Sequence, residues 1–499
     1  MSHPTTSPIP RMSSGWDDLD EFDDRRDVGL DDDYDDYDDY DDGDHDQVPY
    51  QGASRSRVGF SPVRRAQALA GALVALVVTL QQPAPEFMYD AGHYWNGALA
   101  VLEGGGVFER GLLSLRGIAT SFMYLPAAAA FKLAGGSGAS FAVLAENAVL
   151  IALVGVLLLP RLVAIWRPVT PLTVWVSAVL SALVLAGFAP FPLSDLWGAV
   201  LLLAAVVVLH RRGWLPVLLS GIAAGLAFNV RPAAMFAVIG LGVVVLIGRR
   251  LSGLWYLVGA GLALVPQVAI NRMHGLPSWP WPEATSALTE LQAGYAAYVI
   301  RYDTVMEGPD VYPRLFFCSP SMAGALDGKP PTSPGELAGA FLQHFPQALV
   351  FTAQKISAAL HWTLSTPYYV TSPGVNGLFA IAVTTVTVAG AAALLHRSLR
   401  HGVRRLSVAH VGAVVIWLGS VLALVTSATE SRFALPLVLV GIAGVAAALG
   451  DGVRLPRERA GRLWLAGSLV AVVAVFGLGA WGLQHPLPGD GALVDCATS

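Results

Sequence analysis

The sequence predicts an all-α polytopic membrane protein, and three observations carry that expectation. Hydrophobic residues fill 54% of the 499 positions and charged residues 13%, too few charges to coat a soluble protein of this length. About eleven apolar stretches are long enough to cross a hydrocarbon core of ~30 Å as helices. The loops between them alternate between arginine-rich and arginine-poor, the asymmetry that sets membrane orientation.

The expected spans are 66–82, 140–160, 171–189, 195–209, 214–230, 232–248, 252–270, 377–395, 408–427, 433–449 and 464–483, of which 195–209 is short. With a cytoplasmic N-terminus, five loops fall inside: Arg161 to Arg167, His210 to Arg212, Arg249 with Arg250, His396 to Arg405 and Arg454 to Arg462. All five are basic, so this orientation satisfies the positive-inside rule. It places Asp90, the Pro190 to Asp195 turn, Arg231, the 271–376 region, the Thr429 to Arg432 turn and the C-terminus outside together. The resulting organisation is a cytoplasmic tail (1–60), a transmembrane core (61–270) with a first outer loop (83–139), an outer region (271–376), C-terminal spans (377–483) and an outer tail (484–499).

Residues 17–46 hold seventeen Asp and one Glu, with Asp-Asp-Tyr repeated three times from Asp32 to Tyr40. Like-charge repulsion and a lack of aliphatic residues predict disorder there. The tail also masks the rest of the chain. Formal net charge is -5, yet beyond residue 46 the chain carries 28 basic and 18 acidic residues. The first apolar run starts too late for a cleavable signal peptide. An Arg to Lys ratio of 28 to 3 and abundant Ala point to a high-GC genome and a bacterial plasma membrane. Cys318 and Cys496 both fall outside, where the redox environment permits a bridge, although two cysteines alone do not establish one.

Soon after the first span comes Tyr89-Asp90-Ala91-Gly92-His93-Tyr94-Trp95. A carboxylate at a membrane surface is costly unless it faces water or a polar partner, which makes Asp90 a candidate functional residue. Trp95, Leu99 and Leu102 repeat at helical spacing opposite Asn96 and Glu103, which predicts an interfacial helix over 92–104. Residues 120–134 are apolar but short and contain Pro126 and Lys132, and counting them as a span would invert every later loop. They are expected to form a second interfacial or re-entrant helix. In 271–376, after a Trp279-Pro280-Trp281-Pro282 turn, the stretch from Phe341 to Trp362 carries Phe345, Leu349, Thr352, Ile356 and Leu360 on one stripe and Gln347, Gln354 and Lys355 on the other. A helical lid resting on the membrane is expected. Glu146 and Asn147 sit inside the second span and require polar partners.

The order of these features resembles the GT-C fold membrane glycosyltransferases that use polyprenyl-phosphate sugars, such as protein O-mannosyltransferases and the lipid A aminoarabinose transferase. The likeness covers roughly residues 60–450 and rests on motif order. It runs from the early outer Asp90, through Pro192-Leu193-Ser194-Asp195 and Gly225-Leu226-Ala227-Phe228-Asn229-Val230-Arg231-Pro232, to Thr429-Glu430-Ser431-Arg432-Phe433-Ala434-Leu435-Pro436. The family often has two adjacent acids at the first position; here Ala91 follows Asp90, and Glu86 lies four residues earlier. The resemblance implies that Asp90 is the catalytic base, Asp195 the second outer acid, and Arg231 and Arg432 ligands of the donor phosphate. It also implies a polyprenyl-phosphate-linked sugar as donor, an extracytoplasmic acceptor such as a glycolipid, cell-wall glycan or protein, and the lipid bilayer as the third partner. Nucleic acid is not expected.

The chemistry suits these residue types. A hydroxyl becomes a competent nucleophile when a carboxylate removes its proton, and fixed guanidinium groups stabilise a departing phosphate. Arginine supplies that charge, so no metal is obligatory, although Asp90 and Asp195 would also suit Mg²⁺ or Mn²⁺. Other roles stay open. His93 would assist the base, bind the acceptor or simply sit in an aromatic helix, Arg231 and Arg432 would snorkel to the interface, Asp195 would bind substrate or cap a helix, and Glu430 would bind the donor or orient Arg432. The rival class is a lipid or solute transporter or flippase. Such proteins usually carry internal repeats, and no repeat is evident here.

Overall fold

The computed structural model describes residues 61–104, 116–277, 285–305, 314–370, 372–401, 406–450 and 459–499. The acidic tail, the Trp279 to Pro282 turn and parts of the 396–405 and 454–462 loops lie outside the described residues. In chain order the helices begin with α1 (Pro62–Thr79), α2 (Tyr89–Leu102), α3 (Leu125–Leu133), α4 (Ala139–Val163), α5 (Pro171–Leu185), α6 (Ser194–Leu209), α7 (Trp214–Val230), α8 (Met235–Arg249) and α9 (Leu254–Met273). A mixed body follows: α10 (Thr285–Ala296), β1 (Val299–Thr304), β2 (Arg314–Cys318), α11 (Pro320–Ala325), α12 (Pro334–Gln343) and α13 (Phe345–Ala358). The chain closes with α14 (Pro373–His401), α15 (Val408–Val425), α16 (Leu435–Leu449), α17 (Arg459–Gly482), β3 (Pro486–Pro488) and α18 (Leu493–Thr498).

Each apolar stretch read from the sequence is a helix, the conformation that satisfies every backbone group without water. Among the described residues eight runs are long and apolar enough to cross a membrane, and one of them, Pro232–Met273, contains both α8 and α9, parted by a 3₁₀ turn at Arg250. Helices α6 and α7 are shorter. Helix α16 is innermost, with 72% of its span buried, whereas α17 has 11% buried and turns Leu463, Leu469, Val470 and Val473 outward. In lipid an outward apolar face costs nothing, so helix contacts depend on close approach of small residues. Helices α14 and α16 meet at Gly390, Gly441 and Gly444; a Cβ on Gly390 would lie 1.9 Å from the Gly441 carbonyl oxygen.

The two ends of the bundle differ in chemistry. At one, Arg167 and Arg397 donate to the Ala447 carbonyl (2.8 and 3.0 Å) and Arg249 to that of Leu209 (3.0 Å), so cations meet the negative ends of α16 and α6. The opposite end carries Asp90 and the mixed body.

Polar residues inside the bundle anchor this second end. The Asn147 amide donates to the carbonyls of Ala189 and Phe191, both at 3.0 Å, and its oxygen accepts from the Tyr124 hydroxyl at 3.3 Å. Glu146 accepts from the Ala127 amide at 2.8 Å, at the positive end of α3. Both therefore have structural partners. Helix α3, in the stretch expected to be interfacial or re-entrant, has nine residues, about 14 Å of rise, too short to cross.

The expected lid is not purely helical. Strands β1, β2 and β3 form a three-stranded antiparallel sheet, β3 being supplied from beyond the last span. The two stripes expected from Phe341 to Trp362, the stretch that contains helix α13, do not sort cleanly into an inner and an outer face: Leu360 is buried and Gln347 exposed. Phe345 and Leu349 are each 59% exposed, while Gln354 and Lys355 are buried. The inward side carries polar groups with partners. Lys355 Nζ donates to the Ala296 carbonyl at 3.1 Å. Arg301 donates to the carbonyls of Ala358 and His361 (2.8 and 2.7 Å) and pairs with Asp303 at 2.6 Å, closing the end of α13. Cys318 and Cys496 form a disulfide spanning 178 residues and tie α18 to β2. Cys318→Ser should lower the stability of the mixed body by about 2–4 kcal/mol, measured by thermal unfolding with and without reductant, with wild type and variant converging once reduced.

Candidate functional site

The turn between α15 and α16 is held from both sides. The Thr429 hydroxyl donates to the Leu424 carbonyl (2.8 Å) at the end of α15, and Pro436 stands in the first turn of α16, where its missing N–H costs no bond. The Tyr302 amide of β1 donates to the Thr429 carbonyl at 2.9 Å. Glu430, Arg432 and Phe433 are thereby fixed in the wall of a cavity of about 590 Å³.

Arg432 is the hub. Its Nη2 contacts Asp90 Oδ2 at 2.9 Å, its Nε pairs with Glu430 Oε2, and its Nη1 lies 3.6 Å from Asp195 Oδ2. Glu430 Oε1 accepts from the Thr304 hydroxyl at 2.9 Å. Asp195 also pairs with Arg231, whose guanidinium sits 4.3 Å from the centre of the Phe433 ring. Asp195, Glu430 and Arg432 are buried, at 4%, 2% and 6% exposure, and Arg231 is held inward by Asp195, so neither arginine snorkels. Nor is Asp195 a helix cap: Leu193 holds that position, and Asp195 stands in the first turn of α6. Arg231 follows α7 in extended backbone ahead of Pro232, the conformation a following proline imposes.

Asp90 approaches from α2. Tyr89 before it holds φ of +52°, a left-handed conformation unfavourable for a residue with a side chain. The Asp90 carboxylate is half-buried and lines the cavity. Burial pushes its carboxyl up, but Arg432, then Arg116 and Arg231, outweigh burial and hold it below the ordinary 3.8. A depressed carboxyl contributes stability above its unfolded value and loses it as pH falls through the folded one.

Arg116, absent from the sequence reading, belongs to the same cluster. It lines the cavity and its Nε donates to the Tyr94 hydroxyl at 3.1 Å, which also accepts from Ser194 at 3.2 Å. A buried polar network fixes its backbone. The Ile118 amide donates to Gln267 (2.7 Å), the Ala119 amide to the Asn229 side chain (2.8 Å) and the Gly117 amide to the Asn229 carbonyl (3.0 Å). Gly117 is required for this approach, since a Cβ would meet the Asn229 oxygens at 2.3 Å.

The structure therefore brings Asp90, Asp195, Arg231, Glu430 and Arg432 together. His93 also lines the cavity, but it is exposed and stands apart from the ion network. Tyr302, Tyr368, Thr304, Gln292 and Arg314, unmarked by the sequence reading, complete much of the wall. Among the described residues no three His, Cys, Asp or Glu side chains converge as a ligand set, and Asp90 and Asp195 are already held by guanidinium groups.

No protein-family model matches the chain, and no curated protein matches it significantly. Among solved structures it is similar to the archaeal oligosaccharyltransferase AglB from Archaeoglobus fulgidus, determined in complex with an inhibitory peptide and a dolichol-phosphate. The likeness has 13% identity and a TM-score of 0.41, and it covers 87% of this chain and 56% of that one. A score at that level carries no argument about this protein.

Removing one partner of a buried ion network leaves the other uncompensated. Asp195→Ala should therefore destabilise the purified protein by about 3–5 kcal/mol, and more than Asp90→Ala, whose carboxylate is half-exposed; thermal unfolding in detergent compares the two.

Proposed function

We propose that this protein is a membrane glycosyltransferase that moves a sugar from a polyprenyl-phosphate donor to an acceptor hydroxyl in the 590 Å³ cavity. One observation carries the reading. Among the described residues buried Arg432 Nη1 makes no hydrogen bond, its ion-pair partner Asp195 Oδ2 standing off at 3.6 Å, on the same guanidinium whose Nη2 holds Asp90. A buried N–H without an acceptor is costly, and a phosphate oxygen would supply one. Arg231 and Arg116 add cations to the same wall.

In this reading the donor phosphate competes with Asp90 for Arg432, freeing the carboxylate. Asp90 takes the proton of the acceptor hydroxyl, and the hydroxyl oxygen bonds to the anomeric carbon. The bond from that carbon to the phosphate oxygen breaks, and the phosphate leaves with the electron pair. Arg231 and Arg432 hold the added negative charge where it develops. Asp195 and Glu430 position the two guanidiniums. His93, at the exposed edge, would contact the acceptor. Since the donor set favours arginine over metal, EDTA should leave transfer intact.

The arginine-lined end of the bundle supports a cytoplasmic assignment for that end and an extracytoplasmic one for the cavity, in a bacterial plasma membrane. The N-terminus would then be cytoplasmic and the C-terminus extracytoplasmic. The acceptor would be a glycolipid, cell-wall glycan or protein on that side.

Transfer of label from polyprenyl-phosphate sugars in membranes containing the protein tests the proposal. Asp90→Asn should abolish transfer while the protein still inserts and folds, and Arg432→Ala should weaken donor use. The kcat/KM of wild type should stay flat on its acid side down to about pH 5, because it reports the free enzyme, in which Asp90 ionises below 3.8. Full activity in Asp90→Asn would remove the base from the scheme, and no turnover of any donor would favour transport.

A further inference from the structure

Tyr368 is a second orphan donor in the same cavity. Its side chain is 3% exposed and lines the cavity wall, yet its hydroxyl has no hydrogen-bond partner among the described residues. Buried tyrosines normally place that group. Tyr256 donates to the Val238 carbonyl at 2.8 Å, and the Tyr298 hydroxyl to that of Gly491 at 3.0 Å. A buried hydroxyl left alone costs free energy, and a site that tolerates one is built to receive an acceptor.

The ring is held rigidly. It packs edge-on against Phe191, centroids 4.6 Å apart. Its loop is fixed by the Tyr368 amide on the Ser365 carbonyl (3.0 Å), the Tyr369 amide on the Thr304 carbonyl (2.7 Å) and the Asn376 side chain on the Val370 carbonyl (2.9 Å). Gly187 lets the loop approach, since a Cβ there would meet the Thr366 carbonyl oxygen at 2.1 Å. Burial, only partly offset by Arg432, holds the phenol above its usual range, so it stays a donor at neutral pH. Its charged surroundings are Arg432, Asp90 and Glu430.

We infer that the Tyr368 hydroxyl is a pre-placed hydrogen-bond donor to the phosphate of the bound donor substrate, acting beside Arg432. This rests on the glycosyl-transfer reading. It adds a neutral donor that stays protonated, aimed at an oxygen that gains negative charge as the sugar departs.

Tyr368→Phe removes only the hydroxyl and keeps the ring. Because no described residue bonds to that hydroxyl, the variant should unfold no earlier than wild type, whereas Tyr256→Phe, which loses a real bond, should unfold earlier. Farnesyl phosphate binding to the purified protein should weaken about tenfold, and kcat/KM for transfer should fall about 10- to 100-fold. Binding and transfer both unchanged would overturn the inference. Transfer lost with binding unchanged would also overturn it, placing the hydroxyl on the sugar instead. A lowered unfolding temperature alongside weaker binding would mark a structural role and overturn it as well. If wild type transfers no sugar, the enzymatic reading fails, but the binding comparison still decides whether Tyr368 meets a prenyl phosphate.

Discussion

A single buried guanidinium organises this protein. Arg432 contacts carboxylates from three places in the chain: Glu430 two residues away, Asp90 at the start of α2 and Asp195 at the start of α6. Charge this deep is stable only when its partners are present and aimed. The requirement fixes how α2 and α6 sit against the turn before α16, and Arg231 joins through its shared partner Asp195. The mixed body is tied to the same point, because Thr304 of β1 bonds Glu430 and Tyr302 bonds the Thr429 carbonyl. Structure and proposed chemistry thus depend on one cluster. Among the described residues the pairs that position the arginines leave Arg432 Nη1 with no hydrogen bond, only the 3.6 Å approach to Asp195.

Much of the fold was legible because hydrocarbon allows few solutions. Long apolar runs in a chain with 13% charged residues have to be helices. The mixed body was harder to read. Strand β2 is five residues long and finds its second neighbour, β3, beyond the last span, a pairing that no local pattern encodes. Helix α13 displayed a genuine stripe, but in a membrane protein the apolar side need not face the core. There Lys355 and Gln354 turned inward, and Phe345 and Leu349 outward. Glu146 and Asn147 announced a need for partners without naming them; the partners proved to be backbone groups of α3 and of the loop after α5.

The site was legible where a charge interrupts an apolar run. Asp90, Asp195, Arg231, Glu430 and Arg432 all stand at helix ends, where an ionisable residue is conspicuous. Arg116 and Tyr368 were not, since both lie in loops where polar residues are ordinary. What marks them is three-dimensional: Arg116 rests on a network running through Asn229 and Gln267, and Tyr368 has a buried hydroxyl without a partner among the described residues. A carboxylate–arginine cluster at a membrane face is a pattern in sequence order, whereas an unsatisfied donor exists only once the chain has folded.

The central claim is that these arginines receive an anionic headgroup, and a structure of the protein in a lipid nanodisc with a prenyl-phosphate sugar tests it most directly. Phosphate density is expected against Arg231 and Arg432, with the Asp90 carboxylate released from Arg432 Nη2. Density elsewhere in the bundle, with the Asp90 to Arg432 pair intact, would contradict it.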